Sequence, residues 1–148
     1  MFRTTYGLPD SVGSMAVDQQ AKAMLVYIDS PGGTVVGGEA MYAAIRKVAE
    51  RKPVVAVMGT TAASAGYMIA LGADTIFARQ GTLTGSIGVL MQSIEITSLM
   101  ERLGVTPITV KSAPLKAVPS PLEPLTPEAR QVTQEVIDAM YVMFTDLV

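Results

Sequence analysis

The 148 residues contain no histidine and no cysteine. A Ser-His-Asp triad and a thiol nucleophile are therefore both excluded, as are disulfides and thiolate metal sites. Without imidazole or thiolate, the chain has little with which to hold a transition metal, and no cofactor is implied. Charged residues make up only 16% of the chain, with a net charge of −2 and no basic cluster, so it has no electrostatic footprint for nucleic acid. No apolar run approaches the roughly 18 residues of a membrane span. No basic start followed by an apolar centre marks a signal peptide.

What is present is apolar. Hydrophobic residues make up 49% of the sequence, and mean hydropathy is +0.39. That is high for a soluble chain of this size and predicts surface buried against other subunits or near a membrane. The length suits one domain with a real core, and no linker or repeat divides residues 1–148.

The stretch Met1 to Gln20 reads as a polar, turn-rich approach. Ala23 to Ile28 reads as a strand, ended by Asp29-Ser30-Pro31-Gly32-Gly33. Gly37 to Ala49 follows as a helix, with Met41, Ala44, Ile45 and Val48 on one face. Val54 to Met58 is a β-branched run expected of a strand buried on both faces. A short helix is predicted over Ala65 to Leu71, closed by Gly72, then a strand over Asp74 to Ala78. Gly81 to Gly88 reads as a Gly/Thr loop, and Val89 to Gln92 as a short strand. Ser93 to Leu103 reads as a helix with Ile96, Leu99, Met100 and Leu103 inward, and Thr106 to Val110 as a strand. Four prolines (114, 119, 121 and 124) keep Lys111 to Leu125 irregular. Thr126-Pro127-Glu128 caps a last helix with a stripe of Val132, Val136, Met140, Phe144 and Val148. Alternating strands and helices predict an α/β fold with a mainly parallel sheet and a C-terminal helix.

Ser64 stands where the second strand meets a helix. A hydroxyl there is presented at a helix N-terminus, where developing negative charge is favoured. It becomes a nucleophile only when a base takes its proton, and with no histidine that base is a carboxylate or a lysine. The bland alternative is an N-cap serine. Pro31-Gly32-Gly33 is either a strand-ending turn or a backbone able to approach a ligand and hold an oxyanion. The lysines are Lys22, Lys47, Lys52, Lys111 and Lys116; the last two lie at and inside the proline-rich loop.

Four segments combine these features. They are Ile28-Asp-Ser-Pro-Gly-Gly33; Lys52 to Ala70 around Ser64; Leu83-Thr-Gly-Ser86-Ile-Gly-Val; and Lys111-Ser-Ala-Pro-Leu-Lys116-Ala-Val-Pro-Ser-Pro. In this order they resemble the signal peptide peptidase A (protease IV) family of serine–lysine peptidases, from about Ala21 onward. The resemblance implies a ClpP/crotonase-like fold. It implies that Ser64 is the nucleophile, Lys116 the general base, and Ser86 a second serine orienting the lysine amine. The N–H groups of Gly33 and Ala65 would form the oxyanion hole. Ser112-Ala113 stands where the family usually has Ser-Gly, and Ala117 where it has an acid.

The expected activity is hydrolysis of extended apolar peptides such as cleaved signal peptides, with Gly32, Met58, Tyr67, Met68, Leu83, Ile87 and Met91 lining the groove. The resemblance also implies a homo-oligomer in which one subunit's serine meets its neighbour's lysine. It implies a native form anchored at the bacterial inner membrane with its catalytic domain outside the cytoplasm, this chain being the soluble core without the anchor. Three other readings are a phage prohead protease of the same fold, a crotonase-like acyl-CoA enzyme using Glu39 or Glu95, and a non-catalytic assembly module.

Overall fold

A computed structural model describes residues 8–148; Met1 to Gly7, part of the expected polar approach, lie outside the described residues. The described residues divide into two compact units, those up to Gly88 with 143–148, and residues 89–142.

The first unit is built on β2 (Val54–Ala63), flanked in parallel by β1 (Met24–Ser30) and β3 (Thr75–Phe77). Its register pairs Met24 with Val54 and Ile28 with Met58 on one side, and Val55 with Thr75 on the other. Each parallel return needs a crossover. Here the crossovers are α2 (Val35–Ala49) and α3 (Ala65–Ala70). The predicted face of α2 is the buried one: Met41, Ala44, Ile45 and Val48 pack inward with Ile28, Val54 and Ala56. Thr34 caps α2, its Oγ1 accepting from the Gly37 N–H at 3.2 Å.

In the first unit, three features differ from the sequence expectation. Within the polar approach, α1 (Leu8–Ser14) is helical, and Val12, Met15 and Ala16 join the core. The second strand continues five residues past Met58, through Gly-Thr-Thr-Ala-Ala. The supposed Gly81–Gly88 loop contains β4 (Leu83–Gly85), which pairs Thr61–Ala63 in parallel. The glycines and alanines of these segments disfavour a strand, and the ladder each segment offers the other overrides that. Thr84 Oγ1 reinforces it by donating to the Ala62 carbonyl at 2.9 Å.

The second unit is mostly irregular. Its short helix α4 (Thr97–Arg102) buries Met100, while Leu99 and Leu103, expected inward, are exposed. Six residues are too few to present a two-turn stripe. Val89 to Gln92 and Thr106 to Val110 are not strands; Ile108 and Val110 are 90% and 94% exposed. A β-branched run alone makes no strand without a partner edge. Lys111 to Leu125 is irregular, as the prolines require. Helix α5 (Pro127–Thr145) starts where predicted, with Thr126 Oγ1 accepting from the Ala129 N–H at 3.1 Å. Of its expected stripe, Phe144 is buried at 1% exposure, whereas Val132, Val136 and Val148 are exposed.

Candidate active site

The strand β2 ends at Ala63 and helix α3 begins at Ala65, so Ser64 makes the entire corner. Its backbone sits at φ 52° and ψ −123°, a region that side chains other than glycine avoid and that costs of order 1–3 kcal/mol. Three contacts hold it there. Its N–H donates to the Gly85 carbonyl at 2.8 Å, and its carbonyl accepts from the Met68 N–H at 2.9 Å. Gly32, at φ 127°, lies so close that a Cβ on it would stand 2.8 Å from the Ser64 Cβ. The small residues around Ser64 are needed for this approach: a Cβ on Gly66 would come within 3.0 Å of the Ser30 carbonyl.

Ser64 occupies the N-cap position of α3 but makes no side-chain cap hydrogen bond. The bland reading of this serine therefore fails. A cap serine uses its oxygen on the helix N–H groups, whereas this hydroxyl is left for something else.

Among the described residues, three other than glycine have φ above zero: Ser64, Ser86 at 53° and Ala117 at 65°. Two are the serines selected from sequence, and the third follows Lys116 directly. Ser86 sits one residue past β4 and is exposed. The Ala63–Gly85 pairing and the Ser64–Gly85 hydrogen bond bring this segment alongside the Ser64 corner.

Gly33 and Ala65 line one cavity of about 190 Å³, together with Ser30, Thr34, Met41 and Ile69. Gly33 is exposed, and among the described residues its N–H meets no acceptor. Ala65 is the first residue of α3, where the N–H has no intrahelical carbonyl. Two backbone donors on residues that line one cavity are a candidate receiver for negative charge on a carbonyl oxygen.

The groove expectation divides. Leu83 is exposed, while Gly32, Tyr67 and Ile87 are half-buried. Met58 and Met68 are 3% and 1% exposed and fill the core beneath the corner, so they form no open wall. Helical and strand periodicity turns both side chains inward. Met91, also expected there, is exposed in the second unit.

Lys116 lies in the second unit, exposed, and no carboxylate pairs with it among the described residues. Lys111 is partly buried and bonds Glu123. Lys52 is also committed, donating to the carbonyls of Met15 (2.7 Å) and Asp18. Of the loop lysines, only Lys116 is uncommitted among the described residues.

Asp29 and Ser30, which the sequence marks only as turn residues, fasten the backbone near Ser64. Between Ile28 and Ser30 the register with β2 jumps from Met58 to Ala62. Asp29 Oδ1 spans the irregularity by accepting from the Thr61 N–H at 3.0 Å. The Asp29 role has no local sequence signal, because its partner lies more than thirty residues away; the Ser30 hydroxyl bonds Gly32, two residues on.

A family comparison decides the chain's affiliation. The description of peptidase family S49 matches residues 46–148. The chain belongs to peptidase family S49. It is 40% identical over 131 residues to the Synechocystis sp. protein named "Putative protease slr0021", covering 88% of this chain and 47% of the relative. It is 37% identical over 133 residues to "Protease 4" of Salmonella typhi, 89% of this chain and 21% of that protein. It is also 33% identical over 131 residues to the head-tail preconnector protein GP5 of Enterobacteria phage P21, 88% of this chain and 26% of that protein. The chain thus spans less than half the length of these curated relatives. The mainly parallel sheet and C-terminal helix agree with the α/β expectation for the family.

Proposed function

We propose that this family S49 chain is the catalytic core of a serine endopeptidase that uses a Ser64/Lys116 dyad on extended, apolar peptides such as released signal peptides. The observation that carries the reading is the strained backbone: the non-glycine residues with positive φ among the described residues are the two selected serines and the neighbour of the selected lysine. Strain of this kind persists only where the surroundings over-determine it.

In this mechanism the neutral Lys116 amine takes the Ser64 proton as Oγ attacks the scissile carbonyl carbon. The carbonyl oxygen becomes an oxyanion and receives hydrogen bonds from the Gly33 and Ala65 N–H groups. On collapse the peptide C–N bond breaks, the Lys116 ammonium returns the proton to the leaving amine, and an ester remains on Ser64. Water then attacks that ester, giving a proton to Lys116; the ester C–O bond breaks, Lys116 returns the proton to Ser64 Oγ, and the new carboxylic acid leaves. Ser86 holds the amine in line. Leu83, Tyr67 and Ile87 supply apolar contact to substrate.

The native enzyme is assigned to the bacterial inner membrane, catalytic domain outward, on the family resemblance. No helix of the described residues is long and apolar enough to cross a membrane. The phage GP5 match favours a second reading, cleavage of phage head proteins by the same chemistry.

A fluorophosphonate probe should label wild-type protein at Ser64, and Ser64→Ala should lose both labelling and peptide turnover while melting within about 1 kcal/mol of wild type. Undiminished turnover in Ser64→Ala rules out the nucleophile assignment.

A further inference from the structure

We propose that Ser30 is a positioning residue that aims the oxyanion-binding N–H of Gly33. The proposal rests on the reading of Ser64 as nucleophile given above, and it carries the Ser30 contact with the backbone through to the oxyanion donor.

Ser30 closes β1 and is only 3% exposed, the one polar residue buried this deeply among the described residues. A buried hydroxyl must find partners, and both of its partners lie on one residue. Its Oγ accepts from the Gly32 N–H at 3.2 Å and donates to the Gly32 carbonyl at 3.3 Å. The second bond sets the geometry. The Gly32 carbonyl and the Gly33 N–H belong to one planar trans peptide, so they point in opposite directions. Holding that carbonyl toward the buried hydroxyl turns the Gly33 N–H away from it. Ser30 and Gly33 both line the 190 Å³ cavity that Ala65 also lines.

Such a clamp is needed here because the backbone it restrains is two successive glycines. Gly32 is at φ 127°, and a glycine pair left alone samples both signs of φ. Gly32 is confined on its other side by the Ser64 Cβ, and Gly66 gives Ser30 the space it occupies. The clamp therefore references the oxyanion donor to the nucleophile's own corner.

The test compares binding of two ligands to the 148-residue chain and its variants. A peptide aldehyde adds the Ser64 hydroxyl across its C=O bond, giving a tetrahedral hemiacetal whose oxygen needs the Gly33 N–H. A peptide product with a free carboxylate does not form that adduct. In Ser30→Ala, aldehyde affinity and kcat should fall together by roughly 10- to 100-fold, with product affinity and KM within about twofold. Ser30→Thr, which keeps the hydroxyl, should recover most of the loss. Ser30→Cys keeps the volume with a weaker donor and is read by the same pair of affinities if the alanine variant does not fold. An equal loss of both affinities assigns Ser30 a merely structural role and overturns the proposal, as does unchanged aldehyde affinity. If wild-type Ser64 does not react with a fluorophosphonate, the underlying nucleophile reading has failed instead.

Discussion

At the scale of single residues, the choice between Lys111 and Lys116 turns on partners. The two share one loop, yet Lys111 is partly buried against Glu123 and Lys116 is open. Lys116→Ala and Lys116→Arg should each remove nearly all turnover. Arginine fails because it cannot release its proton near neutrality. Lys111→Ala should keep most activity and lose roughly 1 kcal/mol of stability with its ion pair. Assays of turnover and melting on the three variants separate the roles; a dead Lys111 variant beside an active Lys116 variant reverses the assignment. Gly32 is the other sensitive position. A Cβ there would meet Ser64 at 2.8 Å on a backbone at φ 127°. Gly32→Ala should therefore cut kcat by at least about tenfold and destabilise by about 1–3 kcal/mol. Gly33→Ala, with open space around it, should cost far less stability; equal melting shifts in the two variants would contradict that contrast.

At the scale of elements, β2 and β4 build the corner and α5 is held at its start by a cap. The start of α5 was readable because its signals are local: Thr126, Pro127 and Glu128 stand in the order that helix entry demands. The structure adds a consequence. Hydrogen bonds from its own backbone N–H and from the Thr126 hydroxyl hold the Glu128 carboxyl below its ordinary value of 4.5. A depressed folded-state value means that the carboxylate supports the helix at pH above about 4.5, and that this support is lost as pH falls through the lowered value. A carbon-detected titration of Glu128 should place its midpoint below 4.5, and Thr126→Ala should move it upward while costing about 1 kcal/mol. A midpoint unchanged by Thr126→Ala would detach the hydroxyl from the carboxylate. Strand β4 shows the reverse case. Three residues ending in glycine are too short a run to read as a strand, and only the pairing with Thr61–Ala63 makes it one.

At the scale of the whole molecule, much apolar surface stays uncovered. Leu25, Tyr27 and Phe77 on the sheet, and Val132, Val136 and Tyr141 on α5, are all exposed. This pattern supports the proposal, which the family resemblance suggests, of a homo-oligomer in which the Ser64 of one subunit uses the Lys116 of the next. Equimolar mixing of Ser64→Ala with Lys116→Ala, followed by exchange of subunits, should restore a measurable part of wild-type turnover. Verified mixed oligomers without any recovery would place the dyad in one subunit. A fully active monomer by light scattering would end the oligomer proposal.

The sequence by itself determined the exclusions and the local elements. Absent histidine and cysteine left serine with lysine or a carboxylate; apolar patterning placed β1, α2 and the first half of β2, and a cap placed the start of α5. Those are short-range properties: composition, a side chain's spacing, a cap and its helix. Only the tertiary structure decided how Ser64 is held. Its φ of 52° depends on the distant Gly85 carbonyl and on Gly32 pressing from the end of another strand. Burial likewise sent Met58 and Met68 into the core and left Ile108 and Val110 outside, although their run reads as a strand. An apolar residue is eligible for a groove, a core or an exposed face. Which one it takes depends on the long-range partners that close over it, and those partners are chosen by the fold.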